Sequence, residues 1–190
     1  ARHLHAHLAR MASAAAHFGY PFGMAAVEAC VLQLAARHPR GAWRIRLLLD
    51  RFGRPEAHAH ALPATESTAV PLQLAHHPFA AATSEFVRFK TTRRAHYDAF
   101  APAEGVFDTL LWNTSGEITE STRCNVAVKR EGRWLTPPLH CGLLPGIGRA
   151  HWLREGRVQE AVLRVEDLAR AEELAVFNSL RGWMPARLVA

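Results

Sequence analysis

Several short stretches of this 190-residue chain concentrate residue types that do chemistry. Phe89-Lys90-Thr91-Thr92-Arg93-Arg94 carries one amine and two guanidiniums. The stretch from Ile118 to Val126 sets a carboxylate, Glu120, five residues before an amide, Asn125. Gly142 to Arg149 contains Leu144-Pro145-Gly146-Ile147-Gly148, and Phe177 to Gly182 contains Asn178-Ser179-Leu180-Arg181. Near the start stands His7-Leu8-Ala9-Arg10-Met11. A neutral lysine amine is a nucleophile and a proton carrier, and arginines and helix N-termini hold anions. Singly, each stretch has an ordinary structural explanation. A lysine after a strand is mostly solvated, a glutamate at a hairpin likewise, and Pro-Gly commonly punctuates a helix start.

The elements that must position these residues can be read from periodicity. Leu4, Leu8, Met11, Ala15 and Phe18 recur every three or four residues, predicting a helix over 3–18 that ends near Gly19. A second helix is predicted over 22–37. Strands are predicted over 43–50 and 56–62 around a turn at 51–55, and over 70–76. Residues 86–89 read as a short strand leading into Lys90, and 92–100 as a helix. Residues 106–112 form a strand with a hairpin turn at Asn113-Thr114-Ser115-Gly116, and 124–129 form another with a turn at Glu131-Gly132. A helix over 146–155, a strand over 158–164, a short helix over 166–171 and a final strand over 174–177 complete the chain. Strands and helices mix without strict alternation, which indicates an α+β fold. His77-Pro78 and the alanine-rich stretch after it place a linker at 79–84, between a small α/β domain over 1–78 and a larger domain over 85–190.

Composition narrows the class. Apolar residues make up 49% and charged residues 21%, enough for a packed core and ordinary for a globular protein. The longest weakly polar stretch, Met24 to Ala36, carries Glu28 and Gln33 and is too short to span a bilayer. No basic-then-apolar leader is visible, so a cytoplasmic location and no membrane partner are expected. The net charge of +6 raises nucleic-acid binding as a possibility. However, the arginines are scattered and not interleaved with aromatics, so no nucleic-acid partner is expected. Cys30, Cys124 and Cys141 lack paired spacing and read as reduced thiols. The alternating His3, His5 and His7 would diverge on a helix. His58 and His60 could share a strand face but have no third ligand nearby, so no metal site is expected.

Together, in this order and spacing, the stretches resemble the class IV aminotransferase family. FKTTRR, TESTRCN, CGLLPGIGR and NSLRGW are most similar to its aminodeoxychorismate lyase branch, including lyase domains fused to aminodeoxychorismate synthase. The resemblance implies a two-domain fold type IV enzyme, like D-amino acid aminotransferase, that depends on pyridoxal 5'-phosphate. It implies that Lys90 carries the cofactor, that Glu120 faces the pyridine nitrogen and keeps it protonated, and that Leu144 packs on the ring. Arg10, Ser179 and the N–H groups of Ile147 and Gly148 would hold the phosphate. Arg123 and Arg181 would bind substrate carboxylates. A small-molecule substrate and a homodimer follow from the same likeness, with a synthase domain or subunit as a further partner. Family members usually carry one or two strands before the His-Leu-x-x-Arg helix, so a shortened N-terminal domain is expected.

The resemblance also bears on the reaction. Transaminases of the family usually have a tyrosine five residues after the lysine, where this chain has Ala95 preceded by Arg93 and Arg94. That favours conversion of 4-amino-4-deoxychorismate, which has two carboxylates, to 4-aminobenzoate and pyruvate. Lys90 would serve as base and acid in turn. The alternatives are a D-amino acid or branched-chain aminotransferase, and an inactive or truncated homologue.

Overall fold

A computed structural model describes residues 2–63 and 68–189. The chain parts into two compact units, Ala1–Glu66 and Ser67–Ala190. In the first, helices α1 (Leu4–His17) and α2 (Met24–Ala36) precede an antiparallel hairpin of β1 (Trp43–Leu49) and β2 (Pro55–Ala61), all close to the expected bounds. Leu8, Ala15, Val27, Val31 and Leu34 are buried, on the helix faces their spacing predicts. The hairpin turn is closed by the Asp50 carboxylate, which accepts the N–H groups of Phe52 (2.8 Å) and Arg54 (2.9 Å). Gly53 is required there. Its φ is +77°, and a Cβ would lie 2.6 Å from the Pro21 carbonyl.

The second unit is a mixed sheet of eight strands: β3 (Val70–Leu74), β4 (Asp108–Trp112), β5 (Ile118–Ser121), β6 (Asn125–Arg130), β7 (Arg133–Thr136), β8 (Gln159–Glu160), β9 (Glu173–Asn178) and β10 (Gly182–Leu188). Their order is β5-β4-β3-β10-β9-β6-β7-β8. β3 runs parallel to both β4 and β10, and β7 parallel to β8; the remaining pairs are antiparallel. The segment after β8 joins the two edges of the sheet. Ala161 donates to Thr136 on β7, and farther along Ile118 donates to Leu163 (2.7 Å) and Val165 to Gly116 (3.1 Å). The sheet is therefore curled on itself. Leu72, Leu110, Ile118, Val126, Val128, Leu163, Leu174, Val176 and Met184 form one buried cluster on one of its faces. Strand alternation sends Ala127, Phe177 and Trp183 to the opposite face, where they pack with Trp134 and Trp152. The fold is thus α+β, as expected.

Four expectations are corrected. The division between units falls at 66/67 rather than over 79–84. Phe79 and Ala82 are buried against Val87, Tyr97, Phe100 and Leu111, so the alanine-rich stretch is core of the second unit, and β3 belongs to that unit's sheet. Residues 86–89 are not a strand. Ser84 accepts the Phe86 N–H on its hydroxyl and starts a helical turn, α3 (Glu85–Arg88), that buries Val87. Only Gln159–Glu160 of the strand expected over 158–164 is regular. Finally, 174–177 is not the last strand: β10 follows it, concealed in the sequence by Pro185, which cannot donate to a ladder. The proline is tolerated because the parallel pairing with β3 begins only at Ala186.

Candidate active site

Three loops and a bulge of the second unit bring together most of the residues singled out above. β4 and β5 pair Trp112 with Ile118 and Leu110 with Ser121, so β5 uses one more residue than β4 between these pairs. Both Ile118 and Ser121 therefore share the face of Leu110. The extra residue lets Glu120 project to the other face, towards Tyr97. A regular strand would not permit this.

Glu120 is buried, and its two oxygens are held by different donors. The Tyr97 hydroxyl donates to Oε1 (2.8 Å) and the Leu144 N–H to Oε2 (3.0 Å). Asn125 donates to the Leu144 carbonyl (3.0 Å). The five-residue spacing of Glu120 and Asn125 thus acquires a physical meaning: the pair grips Leu144 by both its N–H and its C=O. Gly146 completes the fit, because a Cβ there would lie 2.0 Å from Asn125 Oδ1.

Burial pushes the Glu120 carboxyl up to about 7, against the opposing pull of the Tyr97 and Leu144 hydrogen bonds and the Lys90 and Arg94 charges. The folded pKa lies above the ordinary carboxylate value, so the folded chain holds the extra proton between roughly pH 4.5 and 7. Stability linked to Glu120 is full below that window and is lost as pH rises through it. Glu120→Gln should therefore gain on the order of 2–3 kcal/mol relative to wild type between pH 5 and pH 8. Thermal melts at the two pH values check this; parallel losses in both proteins would refute it.

Asp108 shapes the turn between β5 and β6. It is fully buried. Its Oδ1 accepts from the Thr109 N–H (2.9 Å) and from the Thr122 hydroxyl, and its Oδ2 from the Ser121 hydroxyl (2.7 Å) and the Arg123 N–H (3.0 Å). Arg123 is exposed. Its guanidinium lies over the Phe107 ring and donates to the Phe107 carbonyl.

A second group of candidates meets at α4 (Ile147–Arg154), which opens at Gly146 with no side-chain cap, leaving its first N–H groups to another acceptor. A Cβ on Gly148 would stand 2.8 Å from the Asn178 carbonyl carbon and 3.0 Å from the Ser179 nitrogen. The helix start and Ser179 are therefore in close approach. Asn178 shapes the following turn by accepting the N–H groups of Leu180 (3.0 Å) and Arg181 (2.9 Å). Lys90 stands one residue beyond Phe89, the C-cap of α3; it is exposed, and its charge bears on Glu120. Arg10 lies on α1 in the first unit, half-buried.

These donors suit pyridoxal 5'-phosphate: an uncapped helix start pressed against a serine, a buried carboxylate that can share a proton with a ring nitrogen, and a lysine whose charge reaches that carboxylate. Sequence reasoning missed Tyr97 and Asp108. The apolar spacing of Tyr97 and Phe100 signals a buried face, but nothing in it points to Glu120. Among the described residues no group of three or more histidines, cysteines or acids could hold a metal, and no helix is long and apolar enough to cross a membrane.

The family described as amino-transferase class IV matches residues 1–189. A Schizosaccharomyces pombe protein provisionally named an aminodeoxychorismate lyase is 31% identical over 186 residues, spanning 94% of this chain and 80% of its own length. A crystal structure from Mesorhizobium loti, provisionally named an amino-acid aminotransferase, superposes with a TM-score of 0.88 at 38% identity, covering 96% of this chain and 90% of that one. The 4-amino-4-deoxychorismate lyase of Pseudomonas aeruginosa gives a TM-score of 0.76 at 20% identity, covering 97% of this chain and 77% of that one. This last similarity is one of fold.

Proposed function

This chain belongs to the class IV amino-transferase family, and we propose that it is a pyridoxal 5'-phosphate-dependent lyase converting 4-amino-4-deoxychorismate to 4-aminobenzoate and pyruvate. When bound, the cofactor supplies an electron sink for charge left on the carbon bearing the substrate nitrogen. Lys90 would carry the cofactor until the substrate amine displaces it; its freed, neutral amine would then take the proton from that carbon and return one as the enolpyruvyl group leaves as pyruvate. Ionised Glu120 would keep the ring nitrogen protonated, and Leu144 would line the ring's site. The N–H groups of Ile147 and Gly148 and the Ser179 hydroxyl would bind the phosphate. Arg123 and Arg181 bind the substrate carboxylates. A homodimer in the cytoplasm, with a synthase domain or subunit as partner, belongs to the same proposal.

The observation that carries the lyase reading is the lack of a phenol at position 95. Ala95 is exposed, and the nearby Tyr97 is committed to Glu120. The name of the Schizosaccharomyces pombe relative agrees with this reading. Transamination is the second reading, favoured by the name of the Mesorhizobium loti structure. Purified protein with added cofactor separates the two. The lyase should release pyruvate and 4-aminobenzoate in equal amounts from 4-amino-4-deoxychorismate. Amino transfer to 2-oxoglutarate without pyruvate release would establish the transaminase instead, and failure of both reactions would leave the inactive homologue.

A further inference from the structure

We propose that Tyr97 is a positioning residue for Glu120: its hydroxyl orients the carboxylate and favours the ionised form that a protonated ring nitrogen requires. The last clause rests on reading this site as a pyridoxal phosphate site; the hold on the carboxylate does not.

The geometry fixes both partners. An ionised carboxylate has about four acceptor positions, and the chain fills one on each oxygen, from Tyr97 and from Leu144. Two donors on two oxygens set the plane of the group and leave a lone pair on each oxygen for a further donor. Tyr97 is itself immobilised. Its ring stacks on Phe79 (centroids 5.2 Å apart, planes 21° apart), and Phe100 meets Phe79 edge-on at 5.5 Å. The Arg94 guanidinium covers the Tyr97 ring at 4.4 Å and donates to the Thr122 carbonyl, two residues past Glu120. The short 3₁₀ segment Ala95–Phe100 is thereby tied to the β5–β6 turn.

The sense of the hydrogen bond is fixed as well. Burial, with the neighbouring Glu120 and Asp108 charges, raises the Tyr97 phenol well above its ordinary value, outweighing Arg94. The hydroxyl therefore stays protonated and donates. A bond donated to the charged form of a carboxyl favours that form. The other groups acting on Glu120 are the Leu144 N–H and the cationic Lys90 and Arg94, all of which remain when the hydroxyl alone is removed. A purely space-filling Tyr97 would be replaced by phenylalanine without effect on Glu120.

The test uses the full chain without cofactor. Infrared spectroscopy follows the C=O stretch of the protonated buried carboxyl across pH, assigned by its disappearance in Glu120→Gln. Wild type should titrate at about 7, and Tyr97→Phe about one unit or more higher, because that shift corresponds to a tenfold or greater change in ionisation. Phe100→Leu disturbs the same aromatic cluster without removing the hydroxyl; it should lower the melting temperature and leave the carboxyl midpoint in place. A Tyr97→Phe midpoint equal to wild type, or a Phe100→Leu midpoint that rises as far, would overturn the proposal. In the loaded enzyme, Tyr97→Phe should move the acidic limb of the rate profile up by the same interval. If wild type binds no pyridoxal phosphate, the cofactor reading fails on its own while the cofactor-free titration still decides the role of Tyr97.

Discussion

Lys90→Ala should abolish covalent capture of pyridoxal 5'-phosphate and lower turnover by at least about a thousandfold, while leaving the fold intact. The functional loss follows from the two duties proposed for the amine, cofactor attachment and proton transfer, the second alone being worth about 10²–10⁴-fold. The structural neutrality follows from position. Lys90 is exposed after a four-residue helical turn whose buried contact is made by Val87, and exposed substitutions usually cost less than about 0.5 kcal/mol. The melting temperature of the cofactor-free variant should therefore match wild type within roughly 2 °C. Because the Lys90 charge helps keep Glu120 ionised, the variant should also show a raised Glu120 midpoint. Visible absorbance after addition of cofactor and removal of the excess is the direct readout. A variant that retains the wild-type band would sink the assignment, and one that fails to fold would show that the lysine has a structural duty its exposure does not suggest.

Local signals carried far into the fold and stopped where tertiary pairing took over. The amphipathic spacing of Leu4 to Phe18 and the Asn113–Gly116 turn were readable because each depends on neighbours in sequence. β10 was not, since Pro185 argues against a strand until its parallel partner is known to begin one residue later. The apolar run over 86–89 read as a short strand, but a Ser84 hydrogen bond starts a helical turn there. The same boundary runs through the site. Glu120 and Asn125 stood out by spacing, and the structure supplies the reason in Leu144, held from both sides. Tyr97 and Asp108 stayed hidden because their partners are 23 and 13–15 residues away, across a bulge that no sequence pattern announces.

The two hidden residues also divide the work of holding Glu120. Tyr97 acts on the carboxylate itself, whereas Asp108 acts on the backbone that follows it. Burying Glu120 costs stability at neutral pH, as the upward displacement of its pKa to about 7 implies. A chain that keeps an expensive carboxylate at the end of a bulged strand must secure the next turn by other means.

Asp108→Ala should accordingly be the most destabilising of these substitutions, by about 3–5 kcal/mol, the usual cost of breaking a buried charged network. The carboxylate accepts from two backbone N–H groups and two hydroxyls. Alanine leaves the Thr109 and Arg123 amides without that acceptor, whereas Ser121 keeps the Cys124 carbonyl at 3.2 Å. For a chain of this size the loss corresponds to a fall of roughly 10 °C in melting temperature. Asp108→Asn is the sharper test because it conserves shape. Each carboxylate oxygen faces one backbone N–H, so whichever way the amide is turned, its NH₂ group meets a donor. Asparagine should therefore still cost about 2 kcal/mol, the penalty for an unsatisfied buried donor. Thermal melts of both variants at pH 8 decide it, and an asparagine variant as stable as wild type would show that shape, not charge, holds the turn. Because Glu120 and Asn125 flank that turn, both variants should also weaken cofactor binding more than Lys90-independent surface changes do, through displacement of Leu144 rather than through any contact of their own.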